Sequence, residues 1–164
     1  MLSQQEQLRE LTRINTEDFL TSLGLEKVRL GRKLLDALCR YPSERFARQM
    51  VKFDTLVGDI GLKAGSHQTL TGYINRLEIV GQENIPSSGP VLLLSNHPGM
   101  SDTLALFASI PRPDLRIVAA ERPFLRALPN VDRQLIYVPD EPSRRMSVVR
   151  LVISHLRQGG AILT

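Results

Sequence analysis

Residues 89–106 read GPVLLLSNHPGMSDTLAL: an apolar run, a turn containing His97, Pro98 and Gly99, and the start of a helical pattern. The run at 90–95 has the continuous apolar character of a strand buried on both faces, as in a parallel sheet. Pro98 and Gly99 form a sharp turn. Residues 103–110 then read as a helix, which Pro111 and Pro113 stop. Strand, turn and helix in that order put His97 and Asp102 at the carboxyl end of a strand, where open α/β sheets hold their ligands.

Working outward, the same alternation continues downstream. Residues 115–119 (LRIVA) and 134–138 (QLIYV) read as buried strands, and 122–128 as a short helix between them. Ser143 is placed to cap a long helix running to about Arg157, which Gly159 and Gly160 terminate. Residues 161–164 (AILT) begin one more strand. Upstream, 73–80 (YINRLEIV) reads as a leading strand and 81–89 as a turn-rich connection. Short apolar runs alternating with helices predict an α/β arrangement with parallel pairing. A last strand with no loop or helix after it predicts a sheet edge and an unfinished carboxyl crevice, and so a fragment of a longer domain.

Before residue 72 the rhythm is helical. Leu25, Val28, Leu34, Leu35 and Leu38 mark one helix; Phe46, Met50, Phe53, Val57 and Ile60 mark another, with Ser43 after Pro42 as its N-cap. That second stripe is expected to pack on a neighbouring helix, with membrane contact as the alternative. The predicted organisation is a helical segment over 1–72 and an α/β sheet domain over 73–164, incomplete at its C-terminus.

Composition narrows the function classes. The chain has 164 residues, enough for one real core, and a formal net charge of +4. All four lysines lie in the first 63 residues, and every basic residue after them except histidine is arginine. Arginine suits bidentate recognition of phosphate or carboxylate, and a basic surface favours anionic lipid or substrate. With 5% aromatics, no tryptophan and no recognisable motif, nucleic-acid binding is not expected. The single cysteine, Cys39, excludes an internal disulfide and reads as a buried structural thiol in a cytoplasmic protein. No apolar run approaches the ~20 residues of a membrane span, and the polar N-terminus does not resemble a signal peptide.

The candidate chemistry centres on His97 and Asp102. A carboxylate bonded to one imidazole nitrogen fixes the tautomer and leaves the other nitrogen free as a general base. Ser95 and Ser101 lack the G-x-S-x-G elbow, so no covalent nucleophile is expected. Ser101 or Asp102 is placed at the helix N-cap. No cluster with metal-ligand spacing accompanies His97, so no metal is expected. His67 and His155 lie on helical patterns and read as structural, and Asp132 with Arg133 as a turn.

The stretch GPVLLLSNHPGMSDTLAL, with LEIVGQENIPSSGP before it, resembles the first motif of the glycerophospholipid (lysophosphatidate) acyltransferases, N-H-x4-D after an apolar strand. The likeness runs from about Leu77 to Leu106. It implies a partial acyltransferase-type α/β sheet domain that transfers an acyl group from acyl-coenzyme A or acyl carrier protein to a glycerol phosphate or lysophospholipid hydroxyl, with no further cofactor. His97 would be the general base and Asp102 its orienting partner. Asn96 and Gly99 would shape the turn or the oxyanion environment. Arg122, between VAAE and Pro123-Phe124, resembles a basic residue of the family near the acyl pocket. The likeness also implies a cytoplasmic protein, peripheral at the inner face of the membrane.

Two features depart from the family. Where its second motif carries an arginine for the acceptor phosphate, QLIYVPDEPSRR places Asp140, with Arg144 or Arg145 as substitutes at the start of the next helix. The third motif, an F-P-E-G-type loop, would follow GGAILT, where the sequence ends. A non-catalytic relative that binds lipid or a protein partner is therefore the alternative. A hydrolase or thioesterase would need a nucleophile elbow or a second acid.

Overall fold

The computed structural model describes residues 3–25, 27–28, 31–96 and 99–164, and the side chain of Arg32 is not included. His97 and Pro98 lie outside the described residues.

Helix α1 (Gln4–Ser22) opens on a reciprocal cap: the Ser3 hydroxyl accepts from the Glu6 amide, and the Glu6 carboxylate accepts from the Ser3 amide. Helix α2 (Arg32–Ile60) is a single 29-residue helix with Pro42 inside it. This corrects the expected break at Pro42. Proline removes one backbone donor and opposes the preceding turn, but packing against α1 spans the position. Ser43 caps nothing; it is buried, and its carbonyl accepts from Asn15 Nδ2 at 3.4 Å. Leu25 and Val28 lie in the connection before α2. Gly61, at φ +82°, reverses the chain into α3 (Leu62–Leu70), a backbone state that side-chain-bearing residues rarely adopt.

The remainder is a four-stranded parallel sheet in the order β1-β4-β2-β3, from β1 (Val91–Leu93), β2 (Leu115–Ala120), β3 (Leu135–Val138) and β4 (Ala161–Leu163). The protein is thus mixed α/β with N-terminal helices. Helix α4 (Met100–Ser109) joins β1 to β2, α5 (Pro123–Arg126) and α6 (Pro129–Asp132) join β2 to β3, and α7 (Arg145–Arg157) joins β3 to β4. The chain steps along the sheet from β1 to β3 and then turns back to insert β4. Right-handed crossovers therefore put α4, α5 and α6 on one face and α7 on the other.

Three expectations are corrected here. Residues 73–80 form no strand, having no neighbour to pair with; Val80 is almost fully exposed. The C-terminal strand is interior, paired with β1 on one side and β2 on the other, and its three residues are buried. The edge strands are β1 and β3, and Leu92 of β1 is half exposed, since α7 packs over β3 and β4. The start of α7 also differs: a short 3₁₀ turn (Pro142–Arg144) precedes it, and the Ser143 hydroxyl donates to Glu141 instead of capping the helix.

The core crosses the junction between the helical and sheet halves. Leu11, Ile14, Ala47, Met50, Phe53, Val57 and Leu70 from α1–α3 cluster with Leu104, Ala108, Leu128 and Val131. Burying the Leu, Ile, Val, Met and Phe side chains among these contributes roughly 1.5–3 kcal/mol each. The stripe at 46–60 is therefore core, as expected of helix packing, with Ile60 left exposed at its end. A second cluster, Phe107 and Ile110 with Leu115, Ile117, Ala161 and Leu163, seals α4 to the sheet. Arg112, buried with its guanidinium ion-paired to Asp114, donates to the carbonyls of Pro86, Gly89 and Gly159 and ties the loops at the amino end of the sheet together.

Candidate functional site

The site forms where β1 ends. The Ser95 amide donates to the Thr164 carbonyl at 2.9 Å, and the Thr164 amide donates to Leu93 at 3.0 Å, so β4 holds the departing end of β1 in place. The chain then turns into α4, whose N-cap is Gly99 in extended conformation (φ −144°, ψ 172°), with no side-chain cap. This corrects the placement of the cap at Ser101 or Asp102. Asp102 is instead the third residue of the helix, in its first turn, where a carboxylate is favoured by the helix dipole. A Cβ placed on Gly99 would lie 3.1 Å from Asp102 Oδ2, so the carboxylate folds back over the turn and glycine leaves it room. Thr103 Oγ1 donates to the Gly99 carbonyl at 3.0 Å and closes the first turn.

Two concavities flank this turn. On one side is a cavity of about 440 Å³, walled by Met100, Thr103, Leu104 and Phe107 of α4, Ile117–Ala120 of β2, Phe124, Leu125 and Leu128, and Met50 and Phe53 of α2. Its lining is almost wholly apolar, and its size falls in the roughly 300–1,000 Å³ range of small-molecule sites. On the other side is a more open groove of about 470 Å³ that holds Ser95, Asn96 and Asp102 beside residues 77–82. Leu106 and Leu163 line both, so the first turns of α4 separate the apolar chamber from a mixed groove in which Ser95, Asn96 and Asp102 stand among apolar side chains such as Leu77, Ile79 and Leu93.

The structure brings together Asn96, Gly99 and Asp102, and places Arg122 at the apolar cavity. The Arg122 side chain is exposed at the N-cap of α5 and lines both that cavity and a cleft against α1. Arg144 and Arg145 are not brought to this site: they stand past β3, at the opposite edge of the sheet from β1, and line neither concavity. Three strand spacings, about 14 Å, separate the two edges. Arg145 also donates to the carbonyls of Pro139 and Asp140. His67 is exposed on α3, and His155 Nε2 lies 2.7 Å from the Asp114 carbonyl. Among the described residues, no three His, Cys, Asp or Glu side chains come close enough to hold a metal ion, and no helix is long and apolar enough to cross a membrane.

Sequence reasoning did not identify Met50, Phe53, Thr103, Leu106 and Leu163 as site residues. An apolar stripe reads the same whether it fills a core or lines a chamber within one. No protein-family model, curated protein or solved structure matches the chain.

Proposed function

We propose that the protein is an O-acyltransferase of the glycerophospholipid type, moving an acyl group from acyl-coenzyme A or acyl carrier protein to the hydroxyl of a glycerol phosphate or lysophospholipid. The observation that carries this reading is the apolar cavity walled by Met100 and Thr103, on the helix whose opposite side presents Asp102, with Ser95 and Asn96, to a second, more open groove. An acyl chain suits the first, and the acceptor's polar end suits the Ser95, Asn96 and Asp102 end of the second. His97, whose role rests on the N-H-x4-D resemblance, takes the acceptor hydroxyl proton as that oxygen attacks the thioester carbonyl. Collapse of the tetrahedral intermediate breaks the carbon–sulfur bond, and His97 returns the proton to the departing thiolate. Asp102 orients the imidazole and stabilises its charged form. Asn96 and Gly99 shape the turn beside the reacting oxygen. Arg122 is the cation nearest the cavity for an anionic part of either substrate. Such an enzyme would work in the cytoplasm, peripheral at the inner face of the membrane.

The test is thiol release from acyl-coenzyme A in the presence of lysophosphatidate. The purified chain should release thiol only with both substrates present, and His97→Ala should slow turnover on the order of 10²–10⁴-fold with unchanged thermal unfolding. Turnover by His97→Ala at near the parent rate would exclude the general-base role. Lipid binding by the unaltered chain with no transfer would favour the non-catalytic alternative.

A further inference from the structure

We infer that the closed end of the α1–α2 hairpin is a docking surface for anionic membrane. The expected apolar stripe at 46–60 is turned into the core, and the apolar side chains left outside are elsewhere. Phe19 and Leu23 at the end of α1 are 45% and 55% exposed; Leu34, Leu38 and Tyr41 near the start of α2 are 66%, 64% and 75% exposed. The last three recur at helical spacing, forming one outward stripe, while Cys39 and Ala47 are buried on the inner side of the same helix.

The hairpin's direction is fixed at three levels. Asn15 reaches the Ser43 carbonyl and Gln7 reaches Asp54, so α1 and α2 run antiparallel. Ile60, at the far end of α2, lies with Pro111 and Leu115 at the amino end of the sheet. Glu17, Thr21 and Ser22 form a cleft with Arg122–Leu125 just past the carboxyl end of β2. The apolar tip therefore stands at the same edge of the molecule as the turn carrying Asn96 and Asp102.

Charge selects the occupant. Residues 23–41 contain five basic and two acidic side chains, and Lys27, Lys33 and Arg40 are exposed there. Exposed apolar residues interspersed along the chain with the exposed Lys27, Lys33 and Arg40 fit the interface of an anionic bilayer, where the apolar groups enter the headgroup boundary and the cations stay at its surface. A second copy fits less well: a symmetric pair would set like charges against each other, and five side chains fall far short of the roughly 20–30 residues a side of a stable dimer. The inference draws its purpose from the acyl-transfer reading, since the tip would bring the site edge to the lipid, but its geometry does not depend on that chemistry.

Vesicle sedimentation of the full chain tests it, with phosphatidylcholine alone or mixed with phosphatidylglycerol. The chain should bind the mixed vesicles more tightly, and added salt should weaken binding. Combined Leu34→Ser, Leu38→Ser and Tyr41→Ser should lower the apparent affinity at least about tenfold while the melting curve is retained. Lys27→Glu with Lys33→Glu, which leaves every apolar contact intact, should weaken binding to the mixed vesicles selectively. No binding of the unaltered chain to anionic vesicles, or equal binding by both variants, would overturn the inference. So would a concentration-dependent dimer that the serine variant abolishes without vesicle binding. Asp102→Asn should still sediment with vesicles, and transfer on short-chain soluble substrates without vesicle binding would overturn the docking surface alone.

Discussion

Asp102 illustrates what one position in a helix can do. In the first turn of α4 its charge is favoured by the backbone amides of the helix start, and its carboxylate bends back toward Gly99. If it acts by orienting the base, Asp102→Asn keeps the shape and loses the charge that holds the imidazolium. Turnover should then fall on the order of 10²-fold or more while KM moves little, since the interaction matters most as charge develops. Steady-state kinetics on the variant check this, and a change confined to KM would assign Asp102 to substrate binding instead. His97 and Asp102 stood out in the sequence because a strand–turn–helix pattern marks a strand's carboxyl end; the structure places Asp102 in the first turn of α4, while His97 lies outside the described residues. Arg144 and Arg145 were misplaced because spacing along the chain does not reveal strand order. Their strand is at the opposite edge of the sheet from β1.

Among the elements, α7 and β4 depend on a close approach. A Cβ on Gly160 would fall 2.3 Å from His155 Nε2, which sits 2.7 Å from the Asp114 carbonyl. Gly160→Ala should therefore displace the imidazole and destabilise the fold by about 1–3 kcal/mol. The double variant with His155→Ala should recover part of that loss, because the obstruction is gone; additive losses in urea melts would show that the two residues do not couple. The glycines were visible as a helix stop, but their contact with His155 was not, since it forms only after β4 threads back between its neighbours. The continuous α2 has a similar explanation. Local chemistry at Pro42 favours a break, and packing along α1 outweighs one lost backbone hydrogen bond. In residues 73–80 strand-like residues lack a partner strand, and the pattern alone forms no ladder.

At the scale of the molecule, the helical and sheet halves are joined by buried polar contacts as well as by the shared core. Asp54 of α2 accepts from the amides of Asn130 and Val131 at 2.9 and 3.0 Å, from Asn130 Nδ2 at 3.1 Å, and from Gln7 Nε2 at 3.2 Å. It thereby fastens α1, α2 and α6 to one another. Asp54→Ala would take the acceptor from the Asn130 and Val131 amides, while Gln7 Nε2 keeps the Ala127 carbonyl and Asn130 Nδ2 the Asp54 backbone carbonyl, at a cost on the order of 3 kcal/mol. Asp54→Asn, which keeps an acceptor oxygen, should lose less. Thermal unfolding should remain a single transition in both variants if the halves unfold together; a separate early transition in Asp54→Ala would show that the sheet half keeps its fold alone. By itself the sequence determined the alternation of apolar strand, turn and helix, the inward stripe of α2 and the helix start that carries Asp102. These follow from local periodicity and from residues with restricted backbones. Only the tertiary structure decided that β4 lies inside the sheet, that α2 walls the cavity beside the site, and that the hairpin tip stays outside the core. Those are outcomes of crossover handedness and of which surfaces find partners, and neither is encoded within any short stretch of chain.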